Sequence, residues 1–99
     1  MIKTLWLIYG ILRWHKRTFP NATAEQQEQK LAEEIREYDE AIDRFIKTNY
    51  QRDLIHIKEE LADVAIAAVN LLRYPEMQEL VKNKMTINRR RIWQKGQHI

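Results

Sequence analysis

The sequence predicts an all-α fold, a bundle of four helices, on three observations. Apolar residues recur every three or four positions, as on one face of a helix, and no stretch alternates as a strand would. Leu, Ile, Ala, Glu, Gln, Lys and Arg dominate, while two glycines and two prolines are too few for a turn-rich β fold or a phosphate-cradling glycine loop. The connections between helical stretches are short, which sets neighbouring helices antiparallel. With 99 residues the chain forms a single domain over 1–99. A domain of that size buries only roughly 60–65% of its unfolded surface, so its core is modest and self-association would relieve it.

The first helix is expected over 2–17. Its stretch LWLIYGIL (5–12) imitates the apolar part of a signal peptide, but Arg13, Trp14, His15, Lys16 and Arg17 follow it with no small-residue cleavage site. Eight residues are also too few to span a bilayer, so the stretch reads as a core helix with Trp6 in the core. After the loop at 18–21, Thr23 as N-cap and Gln26 at N3 form a capping box that opens a second helix, running to about Lys47. Its apolar stripe is Leu31, Ile35, Tyr38, Ile42, Phe45 and Ile46. A polar connection, Thr48 to Arg52, leads to a third helix over about 53–73, apolar almost all round from Leu61 to Leu72 except for Asp63 and Asn70. Tyr74-Pro75 ends it, because the residue before proline avoids the α region, and Pro75 suits the first turn of a fourth helix reaching about Trp93.

The net charge of +3 is mild, but its distribution is uneven: 25–43 is acidic, and Arg89, Arg90 and Arg91 cluster near the end. That basic segment invites a nucleic-acid reading or marks a solvated helix end favoured by the helix dipole. The chain has no cysteine, hence no disulfide framework or thiolate metal site, in keeping with a reducing cytoplasmic setting.

Four carboxylates carry the chemical argument. Glu34 and Glu37 flank the stripe of the second helix, and Glu60 and Asp63 flank that of the third, each pair spaced i, i+3. EEIREY (33–38) and EELADV (59–64) repeat one pattern at an offset of 26. Packed antiparallel, two such helices bring four carboxylates to one seam. Their repulsion and desolvation are relieved by a hard divalent cation, Mg²⁺ or Mn²⁺, with oxygen ligands. The absence of Glu-x-x-His argues against a ferritin-like di-iron site.

On the fourth helix, the face of Met77, Leu80 and Val81 continues into Lys84, Asn88 and Arg91, which would project toward the acidic seam. They would pair with its charges or hold a polyphosphate against metal ions. Asn70, two turns after Asp63, suits a hydrogen bond to a base, sugar or phosphate, or a bridge between helices. Trp14 and Phe19, beside the basic loop, are candidates for stacking a nucleobase. His56, one turn before Glu60, reads as solvated.

The run EE-I-R-E (33–37), 22 intervening residues and E-L-A-D (60–63) resembles the EExxE…ExxD signature of MazG-like nucleotide pyrophosphohydrolases. The helix order and the Lys84…Asn88-Arg-Arg-Arg91 segment are similar too, and the likeness covers about 19–93. The resemblance implies a MazG-like four-helix bundle assembled as a homodimer or homotetramer. It implies Mg²⁺-dependent hydrolysis, with Mn²⁺ as substitute, of a nucleoside triphosphate to the monophosphate and pyrophosphate, in nucleotide-pool house-cleaning. Carried over by position, Glu34, Glu37, Glu60 and Asp63 would hold metal, Glu33 would either stand behind these ligands or help to orient the attacking water, with Glu34 as the other catalytic candidate, and Lys84 and Arg91 would hold phosphates. The rival readings are a basic helical nucleic-acid binder and a non-catalytic regulatory dimer.

Overall fold

The computed structural model describes residues 1–94 and 96–99. Four helices form in the expected order: α1 (Ile2–Thr18), α2 (Ala24–Thr48), α3 (Gln51–Asn70) and α4 (Pro75–Arg90), with a 3₁₀ turn (Leu71–Arg73) between α3 and α4. No strand forms among the described residues.

The punctuation is chemical. At the start of α2 the Gln26 N–H donates to the Thr23 hydroxyl (3.1 Å), and the Thr23 N–H donates to the Gln26 side-chain oxygen (3.0 Å), so both halves of the capping box are made. Asn49 ends α2 in the left-handed conformation (φ 57°), which asparagine tolerates better than most residues. The Thr48 hydroxyl then donates to the buried Asp53 carboxylate and fastens the tight α2–α3 turn. Helix α3 tightens into the 3₁₀ turn at Leu71, ahead of the expected stop, and Pro75 opens α4.

Helices α2 and α3 make the main packing, and α1 lies against α3 and the 3₁₀ turn. Among the helical elements α4 packs only on the 3₁₀ turn, so it stands off the three-helix body. The radius of gyration is accordingly 16.2 Å, against about 13 Å for a compact chain of this length. The expected fourth-helix face toward the seam is therefore not formed within one chain. Among the described residues only Ala41 and Ala67 are buried apolar side chains, while His15, Gln27, Glu34, Asp53 and Asn70 are buried polar ones. Trp6, expected in the core, is 66% exposed, as are large parts of Leu5, Leu7, Leu61 and Ile66. The third helix, expected to be buried nearly all round, is covered on one side only. The physical reason is geometric: three helices cannot cover apolar surface that wraps most of the way round α1 and α3. None of the described helices is long and apolar enough to cross a membrane.

Candidate functional site

Pairing α2 with α3 draws carboxylates from both helices together. Glu34, Glu37 and Glu60 each present one oxygen, and the three lie within 4.8 Å of one another. Glu34 is buried and the other two are half-buried. Lys30 Nζ lies 2.9 Å from Glu34 Oε1 and 3.7 Å from Glu33 Oε2, whereas His56 Nε2 lies 3.3 Å from Glu60 Oε1. Even so, Glu34 Oε2 and Glu60 Oε2 are buried without any hydrogen-bond partner. Glu37 is held above its ordinary range, first by hydrogen bonding to the neighbouring Glu34 carboxyl, then by the Glu34 charge. Partial desolvation and the charges of Glu60 and Glu33 push the same way. Lys30 is pushed up, first by its hydrogen bond to Glu34, with burial opposing and the acidic neighbours adding. Three convergent oxygens and two orphaned buried ones are what a hard divalent cation would resolve, so the donor set fits Mg²⁺ or Mn²⁺.

Asp63 departs from the expected seam. It is exposed and lies outside the three-carboxylate cluster, although it lines the adjoining cleft with Glu34 and Lys30. Spacing i, i+3 from Glu60 places it on the right side of α3, but aspartate is a methylene shorter than glutamate and reaches less far across the helix pair. Glu33 sits at the rim, half exposed, tied to Lys30.

The cleft holds about 890 Å³ and runs between α1, α2 and α3. Trp6, Trp14 and Phe19 form its aromatic wall, with Ile66 and Ala67 contributed by α3. Trp14 and Phe19 meet edge to face, centroids 5.7 Å apart at 88°. Asn70 lines the cleft at 2% exposure, with its Oδ1 unpartnered.

A polar relay braces this wall. Arginine only donates, so Arg73 Nη1 gives a hydrogen bond to His15 Nδ1 (3.1 Å); His15 Nε2–H then donates to Gln27 Oε1 (2.8 Å), and Gln27 Nε2–H to the Ala67 carbonyl (3.0 Å). Arg73 also donates to the Phe19 and Pro20 carbonyls (2.7 Å each), and the Tyr74 hydroxyl donates to the Ala22 carbonyl (2.7 Å). These bonds hold the α1–α2 loop, and Phe19 with it, against the 3₁₀ turn.

The basic segment lies elsewhere. Lys84 is exposed and Asn88 half-buried on an α4 that does not touch α2 or α3, and Arg91, just past its end, is exposed. Helix α4 ends at Arg90, so Arg91 leaves the wheel of Leu80 and Val81; its guanidinium stacks 4.8 Å from the Trp93 ring. The Trp93 indole N–H donates to the Asn88 carbonyl (2.9 Å), closing the helix end. The structure thus brings together Glu34, Glu37 and Glu60, sets Asp63, Trp14, Phe19 and Asn70 along the adjoining cleft, and leaves Lys84, Asn88 and Arg91 apart.

Lys30 and His56 are partners of the carboxylates that sequence reasoning passed over or read as solvated. Their i, i+4 spacing to Glu34 and Glu60 carried the signal. The His15–Gln27–Arg73 relay joins residues far apart in the chain and had no local signature. No protein-family model, curated protein or solved structure matches this chain.

Proposed function

We propose that the chain is a divalent-metal-dependent nucleoside triphosphate pyrophosphohydrolase of MazG-like type, working as a homodimer or homotetramer. The observation that carries the reading is the trio of carboxylate oxygens from α2 and α3 within 4.8 Å, beside a cleft with aromatic walls. Glu34, Glu37 and Glu60 would hold Mg²⁺ or Mn²⁺, and Asp63, exposed at the cleft wall, would join the set only by moving toward it when a ligand enters. A bound cation there would neutralise phosphate oxygens and acidify a coordinated water.

The chain's own groups do the rest. Glu33, at the rim, would accept a hydrogen bond from the attacking water and orient it beside Glu34. Lys30 balances Glu34 in the free site and would turn toward an entering phosphate. The basic α4 suits the acidic face of a second copy, which is how Lys84, Asn88 and Arg91 would meet phosphates. A second reading, nucleic-acid binding, draws on the exposed Arg89, Arg90 and Arg91 at the end of the free-standing α4.

A panel of nucleoside triphosphates with Mg²⁺ or Mn²⁺, read out as pyrophosphate and monophosphate, tests the first reading. Glu60→Gln is expected to lower turnover by at least about 100-fold with helix content unchanged, since outer hydrogen-bond partners of metal ligands alone cost 10–100-fold. Wild-type turnover in that variant would remove the metal-site assignment. Salt-sensitive DNA or RNA binding without pyrophosphate release would favour the rival.

A further inference from the structure

Gly10 stands at the middle of α1, with 2–9 before it in the helix and 11–18 after it. A glycine inside a helix costs more stability than any residue except proline, because its backbone gives up the most freedom. A left-handed backbone or a close neighbour commonly explains one there, and neither does here. Gly96 is the glycine with positive φ, and α1 runs through Gly10 without a break. Beyond its own helix, a Cβ on Gly10 would meet nothing within 4 Å. The packing of this chain therefore has no need of glycine at that position.

The space that Gly10 leaves opens into the cleft. Trp6 and Trp14, one helical turn to either side, line the cleft with it, and both indoles are more than half exposed. Helix α1 does not pack on α2, and the cleft separates them. Both helices run away from the His15–Gln27 hydrogen bond that joins their near ends. Gly10 is five residues from His15, about 7.5 Å along α1. Lys30 and Glu34 are three and seven residues from Gln27, about 4.5 and 10.5 Å along α2. The bare backbone thus stands on the wall opposite, at the level of Lys30 and Glu34. At that level a polar atom waits for a partner: Glu34 is 8% exposed, and its Oε2 has none.

We propose that Gly10 is the size-selecting position of the cleft. Its missing side chain is the clearance by which a ligand lies between the α1 wall and Lys30 while reaching Glu34. Glycine stays there at a cost to the helix, because any larger residue would stand in that passage. Only the nature of the group that fills the clearance rests on the nucleotide reading above: it is the sugar with its first phosphate.

The test compares Gly10→Ala and Gly10→Leu, both better helix formers, in the full chain at one protein concentration. Gly10→Ala is expected to melt about 4–8 °C above the wild type. With the nucleoside triphosphate that releases most pyrophosphate, Gly10→Leu is expected to raise KM about tenfold or more with kcat within about twofold, and Gly10→Ala to raise it less. A stiffer helix alone would not split KM from kcat in this way. Gly10 is not a selecting position if Gly10→Ala melts below the wild type, since glycine then serves the fold. Nor is it one if Gly10→Leu keeps the wild-type KM, or sediments as a different oligomer, which would assign the gap to a second copy. Should Gly10→Leu not fold, Gly10→Ala takes its place in each comparison. If the wild type cleaves no triphosphate, the hydrolase reading falls and 8-anilinonaphthalene-1-sulfonate, a flat apolar anion titrated in EDTA, decides for Gly10. Binding about tenfold weaker in Gly10→Leu sustains the clearance, and unchanged or absent binding ends it.

Discussion

His15 shows how much one side chain decides here. Its Nδ1 faces a guanidinium that only donates, so the ring is the neutral Nε2–H tautomer. Burial lowers its pKa first; the hydrogen bond to Gln27 opposes this, and the Arg73 charge adds to the lowering. With a folded pKa below the unfolded 6.5, the folded chain binds this proton less readily than the unfolded chain. The stability contributed by the neutral ring is complete above that unfolded value and is lost as the pH falls through the folded pKa. Thermal melts from about pH 7.5 to about pH 5 should therefore show a larger fall for the wild type than for His15→Gln, which cannot titrate. Parallel curves would mean that another group sets the acid limb. Because Arg73 also holds the Phe19 and Pro20 carbonyls, the same protonation would loosen the aromatic wall of the cleft.

Among the elements, α2 is the most completely specified. Its capping box satisfies two end donors, and Asn49 closes it in the conformation that favours Asn or Gly. Thr23→Ala should lower stability by about 1 kcal/mol, read from urea unfolding at one protein concentration. An unchanged midpoint would place the start of α2 under the control of the Tyr74–Ala22 and Arg73–Pro20 bonds instead. Helix α4 is the opposite case. It starts cleanly at Pro75 but packs on little, and its last turn is finished by Trp93 rather than by more helix.

The whole chain leaves more apolar surface exposed than one copy can cover. On α4 alone, Leu80 and Ile87 are 51% and 52% exposed. Burying such surface is worth roughly 25 cal/mol per Å², which favours association over exposure. Sedimentation at a concentration on the order of 10 µM should show a dimer or tetramer. Leu80→Glu combined with Ile87→Glu, seven residues apart and so on one side of α4, should shift it toward monomer with helix content retained. A monomeric wild type would remove the oligomer from the proposed function, and with it the route by which Lys84 and Arg91 reach a phosphate.

The helices, their order and the starts of α2 and α4 were legible because they depend on local chemistry: Thr23 with Gln26, Tyr74 with Pro75, and apolar positions spaced three and four apart. The ends of α3 and α4 fell about three residues short of expectation. The pairing of Glu34 and Glu37 with Glu60 was legible too, since i, i+3 spacing puts each acid on a known side of a helix and the short α2–α3 turn brings those sides together. Trp14, Phe19 and Asn70 were visible as candidates, though not as neighbours. What only the tertiary structure decided are the facts that depend on reach and on long-range packing. Asp63 stays out of the cluster because periodicity fixes the direction of a side chain and not how far it extends. Lys84, Asn88 and Arg91 stand apart from the cluster because a helical wheel orients a helix about its own axis and says nothing of where the 3₁₀ turn at Leu71–Arg73 sends the next one.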